Sequence, residues 1–545
     1  MSDDRPSGGS RELAIVLLVA GVLTAALTYP LAFKVGSVAR VDAADGQFSI
    51  WNVAWVARTL VVDPLHVYDA NIFYPHRGTL AYSEANLGTG LLAVPAYWAT
   101  GNPYTAHNSA VLLSFLLTAI GTYYLVRYLV EDRRAAAISA IGFAFCPHIF
   151  AHMAQVQVLM TLGIPFCLLA FHRAADRPTP GRGAVLGLAM AGQAICSGYY
   201  GIFVMLMVGF AVLAVAWHRG LWRERRYWLA IGVGALVAIA VVAPFFVPYA
   251  ALQRTTGFRR TIADAANYSA NWSAYFASAS HAHAWMLRWL PRWTEVNFPG
   301  LVISVFGLAG FAAARSPRER EIVLVYGGLA ILACWASFGP SAGLYSVLYT
   351  LVPPFSWMRV PARFGLIVTF ALAVLAGLAL ARMLAQTRRA TMVAVAIGVL
   401  AAAELTVDLR LPAVQPLSPA YRLLATLPRG PVIELPFYFP AVGLYQHAKY
   451  MLASTSHWMP LVNGYSDYIP ADFRDHVMTL APFPSRDALK ILEPDRVRYA
   501  MFHLNGYNAS NRRDILTRLE QLAPYFKSIY LDDQTRLYEI VGFPP

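Results

Sequence analysis

The chain has 545 residues, 57% of them hydrophobic and only 13% charged, with a mean hydropathy of +0.48, a balance too apolar for a soluble globular protein. Its net charge of +13 sits largely in short connectors between apolar runs, the positive-inside pattern of a polytopic membrane protein, so topology accounts for the charge without a nucleic-acid partner. Cys146, Cys167, Cys196 and Cys334 all lie in apolar segments, which argues against a disulfide framework or a thiolate metal site.

The first apolar run, 13–33, has no small-residue cleavage site behind it and reads as a retained span rather than a signal peptide. With Arg5 and Arg11 placed in the cytoplasm, further spans are expected at 109–130, 135–151, 158–171, 184–196, 201–217, 228–249, 300–314, 322–338, 364–385 and 391–407. This makes about eleven transmembrane helices, and the inner connectors then hold Arg133–Arg134, 173–182, 219–226, 315–320 and Arg388–Arg389. The apolar stretch 87–99 is interrupted by Pro95 and too short to cross a hydrocarbon core of ~30 Å, so it is expected to be interfacial or re-entrant. Counting it as a span would invert every later loop.

Between the first two spans runs a polar loop, 34–107, that carries Asp42, Asp45, Asp69 and Glu84 among aromatic residues. In 41–58, Phe48, Trp51, Trp55 and Arg58 recur at helical spacing, as in an amphipathic helix lying at the membrane interface. Asp45 falls near the N-terminus of that helix, where it can act as a cap, or, with Asp42 three residues earlier, form part of a site. Asp69 and Glu84 lie in a segment with Tyr68, Asn71, Phe73, Tyr74, His76 and Tyr82. Rings and hydrogen-bonding groups of this kind suit a sugar or a prenyl-phosphate head, and they equally suit an interfacial aromatic belt.

Farther along, P-H-I-F-A-H-M-A-Q-V-Q places His148 and His152 four apart, on one helix face as two metal ligands would be, followed by Gln155 and Gln157. No H-E-x-x-H pattern accompanies them. In S-W-M-R-V-P-A-R-F, Arg359 and Arg363 stand at the expected outer mouth of a span, where the positive-inside bias gives no reason for two guanidiniums. A lipid phosphate or pyrophosphate is one partner for them, and snorkelling to ordinary headgroups is the other reading. From about Asp408 the composition turns mixed. Ser418-Pro419 reads as a helix start, 432–435, 497–504, 526–531 and 536–540 read as short strands, and Ile515, Leu516, Leu519 and Leu522 give one helix an apolar face. The expected organisation is a membrane domain over 1–407, including the 34–107 loop, and an extracytoplasmic α/β domain over 408–545.

The segments D-G-Q-F-S-I-W-N-V-A-W, A-N-I-F-Y-P, M-R-V-P-A-R-F and L-V-N-G-Y-S resemble those of uncharacterised bacterial members of the GT-C glycosyltransferase superfamily, membrane enzymes that use polyprenyl-phosphate sugars. The resemblance implies a GT-C-like fold in the bacterial inner membrane. It further implies inverting transfer from a polyprenyl-phosphate sugar to a glycan, lipid or protein acceptor on the extracytoplasmic face. In that superfamily an aspartate of the first outer loop commonly acts as base or contacts a metal; Asp45 matches it best and Asp42 second. Arg359 and Arg363 would hold the leaving phosphate, and Tyr199 and Tyr200, with Glu84, would position the sugar. The loop has no adjacent acidic pair and no aspartate-x-aspartate, so the resemblance implies no certain cofactor and leaves a divalent metal open; the tail lacks a W-W-D-Y-G-like motif, which argues against an oligosaccharyltransferase. The rival expectation is a non-catalytic membrane protein of lipid-linked glycan assembly or transport, although a transporter would place ionisable groups at mid-span and here Gln193 and Glu404 are the few polar residues inside spans.

Overall fold

The computed structural model describes residues 8–545; Arg5, assigned to the cytoplasm from charge, lies outside the described residues. The chain is a polytopic helical protein with a small C-terminal sheet. Among the described residues eight helices are long and apolar enough to cross a membrane: Gly9–Leu27, Pro103–Val130, Arg133–Ala151, Val156–Asp176, Gly198–Arg219, Arg225–Thr256, Pro317–Ser337 and Pro361–Ala385. The remaining three expected spans are shorter helices, Pro180–Cys196, Leu301–Phe311 and Ala390–Glu404.

The chain divides into two compact units. The first comprises Met1–Val35, Asn108–Val247 and Gly257–Arg410. Its hub is the helix Gly365–Ala385, buried along nearly its whole length and packed by Leu301–Phe311, Arg133–Ala144 and Gly328–Ser337. Several helices in this unit are broken, and an apolar surround leaves freed backbone groups unhydrated, so side chains must satisfy them. Gln193 does this for the break before Gly163–Asp176, accepting from the Gly163 amide at 2.8 Å and donating to the Met160 carbonyl at 2.9 Å. Glu404 does it for Leu301–Phe311, accepting from the Leu301 and Val302 amides, with His283 Nε2 3.0 Å from its carboxylate. The two polar residues noticed inside spans therefore hold helix ends together. The Arg-rich connectors are partly neutralised: Asp176 accepts from Arg219 at 2.6 Å and from Arg318 at 2.9 Å, while Arg219 also reaches Glu321 at 2.5 Å.

The second unit comprises Gly36–His107, Pro248–Thr256 and Leu411–Pro545. The 34–107 loop, grouped with the spans from sequence, thus packs with the tail instead. The reason is a dense set of long-range bonds. Val38 bridges Ala413, the Phe73 and Tyr74 amides donate to the Asn463 and Leu461 carbonyls at 3.1 and 2.8 Å, and Asn71 donates to Ser454 Oγ and the Met459 carbonyl, both at 3.0 Å. The four tail strands are β1 (Val432–Leu435), β2 (Tyr499–His503), β3 (Phe526–Leu531) and β4 (Thr535–Ile540). They form one sheet in the order β1-β2-β4-β3, with β1 and β2 parallel and the other pairs antiparallel. Ser418 caps Pro419–Leu424 by accepting from the Ala420 amide at 3.3 Å, and Ile515 and Leu519 bury the apolar face of Ala509–Gln521.

The expected interfacial helix is Ala44–Val62, and it is buried from Ser49 to Ala57 rather than on one stripe. It packs on Leu87–Thr100, which is itself helical through Pro95, and on Ala448–Ala453. Its tryptophans are anchored inside the unit: Trp51 donates to Asn71 Oδ1 at 3.1 Å and Trp55 to the Val67 carbonyl at 2.9 Å. Partners of this kind, not a headgroup layer, fix those rings.

Candidate functional site

The first unit gathers six of the residues singled out from sequence, together with one that was not. The helix Arg133–Ala144 stops at Phe145, and Pro147 opens the single turn Pro147–Ala151, because proline is preorganised for a first helical position. That restart sets His148, wholly buried, against His152 with ring centroids 4.5 Å apart. His148 Nδ1 donates to the Val296 carbonyl at 3.0 Å and to Asn297 Oδ1 at 3.2 Å, and His152 Nδ1 donates to the His148 carbonyl at 2.7 Å. His152 Nε2 stands 3.2 Å from Glu295 Oε1. The ligand atoms of His148, His152 and Glu295 all lie within 4.8 Å of one another. Burial pushes the Glu295 carboxyl up, but the hydrogen bond and charge of His152 outweigh it and hold the group down at about 2.

Asn297 is placed by a close approach. Its Nδ2 donates to the Ala362 carbonyl at 3.1 Å, and it lies against Gly365, where a Cβ would fall 2.2 Å from its Cγ. The adjoining turn Pro361–Phe364 carries Arg363, which is 8% exposed. One guanidinium nitrogen donates to Gln155 Oε1 at 2.9 Å, the group lies 4.9 Å above the Tyr199 ring, and its Nε is buried without a hydrogen-bond partner. The Tyr199 hydroxyl donates to the Val360 carbonyl at 2.6 Å, so Tyr199 serves as a platform for Arg363 rather than a free sugar-binding hydroxyl. Tyr200 is fully buried and donates to the Val158 carbonyl at 2.9 Å, which removes it from direct substrate contact. Arg359 does not share this setting: it lies 5.6 Å over the Tyr268 ring.

Glu295 was missed by sequence reasoning. It lies far along the chain from the two histidines and shares no spacing with them. The one signal that marks it is isolation, since no other acidic residue occurs between Asp264 and Glu319.

The second unit holds the acidic loop. Asp45 sits in the first turn of Ala44–Val62, whose N-cap residue is Ala43, so Asp45 does not occupy the N-cap position it resembled. The turn before it is tight: a Cβ on Gly46 would fall 2.0 Å from the Arg40 carbonyl oxygen, and Gln47 donates to the Val41 carbonyl at 2.6 Å. Asp42 pairs with Arg40 at 3.2 Å at the surface. Asp69 accepts from the Gly78 amide at 2.8 Å and closes its own turn, a structural task. Glu84 is half-buried, and its carbonyl accepts from Asn86 at 2.9 Å. The neighbouring aromatics are largely core: Phe73 meets Phe473 with centroids 5.0 Å apart, Tyr82 meets Tyr468 at 5.0 Å, and both Phe73 and Tyr82 are buried.

Residues 99–246, which include His148, His152, Gln155 and Tyr199, match the family model described as dolichyl-phosphate-mannose-protein mannosyltransferase. No curated protein matches the chain. Two crystal structures of ArnT from Cupriavidus metallidurans align with it at 15% identity. The apo form covers 98% of this chain and 98% of its own, with a TM-score of 0.49, and the form bound to undecaprenyl phosphate covers 98% and 100%, with a TM-score of 0.50. The family-model match over 99–246 and the fold shared with the undecaprenyl-phosphate-bound ArnT structure agree with the resemblance drawn from the motifs.

Proposed function

We propose that the protein is an inverting transferase that moves a sugar from a polyprenyl-phosphate donor to a hydroxyl of a glycan, lipid or protein acceptor, at the extracytoplasmic face of a bacterial inner membrane. The observation that carries this reading is Arg363, a buried guanidinium with an unpaired Nε, braced by Gln155 and Tyr199. A buried cation with a donor to spare suits an anionic ligand, and a lipid phosphate is supported by the fold shared with ArnT, whose structure was solved with undecaprenyl phosphate.

In this mechanism Asp45 takes the proton of the acceptor hydroxyl as its oxygen attacks the anomeric carbon. The bond to the lipid phosphate breaks with inversion, and the phosphate keeps the electron pair, its charge met by Arg363. Glu84 helps to orient the sugar. Arg359, stacked on Tyr268, is assigned a lesser part in holding the phosphate. Asp42, paired at the surface with Arg40, is the second candidate for base.

The test is transfer of radiolabelled sugar from polyprenyl-phosphate donors into a host lipid or glycan extract by purified protein in proteoliposomes, with wild type compared to Asp45→Asn at equal folded amounts. Transfer by wild type that falls at least ~100-fold in the variant supports the base, since positioned acid–base groups contribute ~10²–10⁴. Unchanged transfer by Asp45→Asn would sink its assignment. Absence of transfer by wild type with every donor and acceptor pool tried favours a non-catalytic role in lipid-linked glycan assembly.

A further inference from the structure

The three ligand atoms that converge in the first unit pose a problem of proton bookkeeping. A carbonyl oxygen can only accept, so the bonds to Val296, Asn297 and His148 place a proton on Nδ1 of both His148 and His152. Each Nε2 is then a lone pair unless its ring is charged. His148 Nε2 is buried and has no hydrogen-bond partner, and His152 Nε2 stands 3.2 Å from a carboxylate oxygen that is equally electron-rich. Two lone pairs and a carboxylate facing one another repel. Charging His152 alone lets it donate to Glu295 but leaves the buried His148 Nε2 beside that pair with no partner, and charging both rings sets two cations with centroids only 4.5 Å apart, one of them wholly buried.

We infer that His148, His152 and Glu295 form a binding site for one divalent transition-metal ion of the zinc class. A single dication satisfies all three groups at once. Two donors each about 2.1 Å from a tetrahedral zinc stand about 3.4 Å apart, and the His152–Glu295 separation of 3.2 Å fits that geometry. Two neutral imidazoles with one carboxylate select a late first-row ion over calcium or magnesium, which prefer all-oxygen sets. The outer partners are those expected of ligating histidines, with each Nδ1–H tied to a carbonyl or an amide oxygen so that ring orientation and tautomer are fixed. Asn297 is itself held by the Ala362 carbonyl and the space at Gly365. Three protein ligands leave a further position for water or for a phosphate or hydroxyl oxygen. The inference stands on the donor set and is independent of the transfer reaction.

The experiment uses the full chain purified in detergent with a tag that contains no histidine, stripped with chelator and titrated with Zn2+, with bound metal read by elemental analysis after desalting. About one equivalent of zinc is expected. Glu295→Gln and His152→Ala should each weaken binding by tenfold or more while the size-exclusion profile is kept. To guard against variants that fail to fold, His148→Cys is loaded with Co2+; a thiolate-to-cobalt absorption absent from cobalt-loaded wild type places residue 148 on the metal. Wild type that retains no more zinc than the Glu295→Gln, His152→Ala double variant overturns the inference, and His152 is then an imidazolium paired with Glu295. A cobalt-loaded His148→Cys protein without the thiolate band overturns the role of His148.

Discussion

Removing Arg363 is the most direct perturbation of the proposed phosphate site. The guanidinium is 8% exposed, so its charge is little screened, and its hydrogen bond to Gln155 and its stacking over the Tyr199 ring fix where it lies. A phosphate oxygen that gains charge about 4 Å from such a group, at an effective dielectric of about 20, is stabilised by about 4 kcal/mol. That corresponds to about 10³ in rate. Arg363→Ala should therefore lower kcat/KM for transfer by about 10²–10³, in line with the loss seen when one preorganised donor is removed from other active sites. Arg363→Lys keeps the charge but loses the planar fork and much of the stacking on Tyr199, and should fall between the two. The assay is initial-rate transfer in proteoliposomes at equal protein, with thermal unfolding followed in parallel. Arg363→Ala transferring within threefold of wild type, with unchanged stability, would refute the assignment. Equal losses in Arg359→Ala would refute the unequal roles given to the two arginines.

Gly365→Ala should destabilise the first unit by roughly 1–3 kcal/mol, the usual cost of overpacking, because the added methyl collides with Asn297; thermal unfolding of the full chain reads it. Asp42→Asn should change stability by less than about 1 kcal/mol, since its pairing with Arg40 is surface-exposed, and a larger shift in melting temperature would give Asp42 more than this surface pairing. In the second unit His447 is fully buried, donates from Nε2 to the Tyr438 carbonyl at 2.9 Å and accepts from Asn463 at Nδ1 at 3.0 Å; burial pushes its pKa down to about 4. Below pH 6.5 the unfolded chain takes up this proton and the folded one does not, so stability present above pH 6.5 is lost as pH falls towards 4, by about 3 kcal/mol for this group. Amide exchange of β1, corrected for intrinsic pH dependence, should show that loss, and His447→Gln should flatten it. Glu434→Ala should cost the second unit about 3–5 kcal/mol, because it strands the partners of a wholly buried carboxylate that accepts from Tyr421 at 2.9 Å and lies 2.5 Å from His503 Nε2; denaturant unfolding measures it.

The membrane helices and the tail strands were legible in the sequence because hydropathy over a long run and a short apolar or aromatic run bounded by turn residues are local signals. Span lengths were less so: Leu301–Phe311 and Ala390–Glu404 are short, and their ends are stitched by side chains whose destinations no local pattern encodes. Gln193 and Glu404 were visible as polar residues inside apolar runs, but their partners, the Gly163 and Leu301 amides, are distant in sequence. The 34–107 loop was assigned to the wrong neighbours for the same reason, since Asn71 gives no local hint that it bonds residues 454 and 459. Of the site, His148, His152, Gln155, Tyr199 and Arg363 were legible as polar or basic residues at span ends. The roles of Tyr199 and Tyr200 were not, because whether a hydroxyl is spent on a carbonyl depends on packing. Glu295 needed the fold to bring it to the histidines.

The pairing of the early loop with the late tail also sets a timetable for biogenesis. About 300 residues separate His107 from Leu411, and at typical elongation rates of about 5–20 residues per second the ribosome needs about 15 to 60 s to cover them. During that interval Phe73, Tyr82 and the buried face of Ala44–Val62 have been synthesised but have no tail to pack on. The nascent loop is thus exposed to proteases and chaperones until the tail is made, and a chain cut short just before Leu411 keeps its helical spans yet strands the segment that carries Asp45.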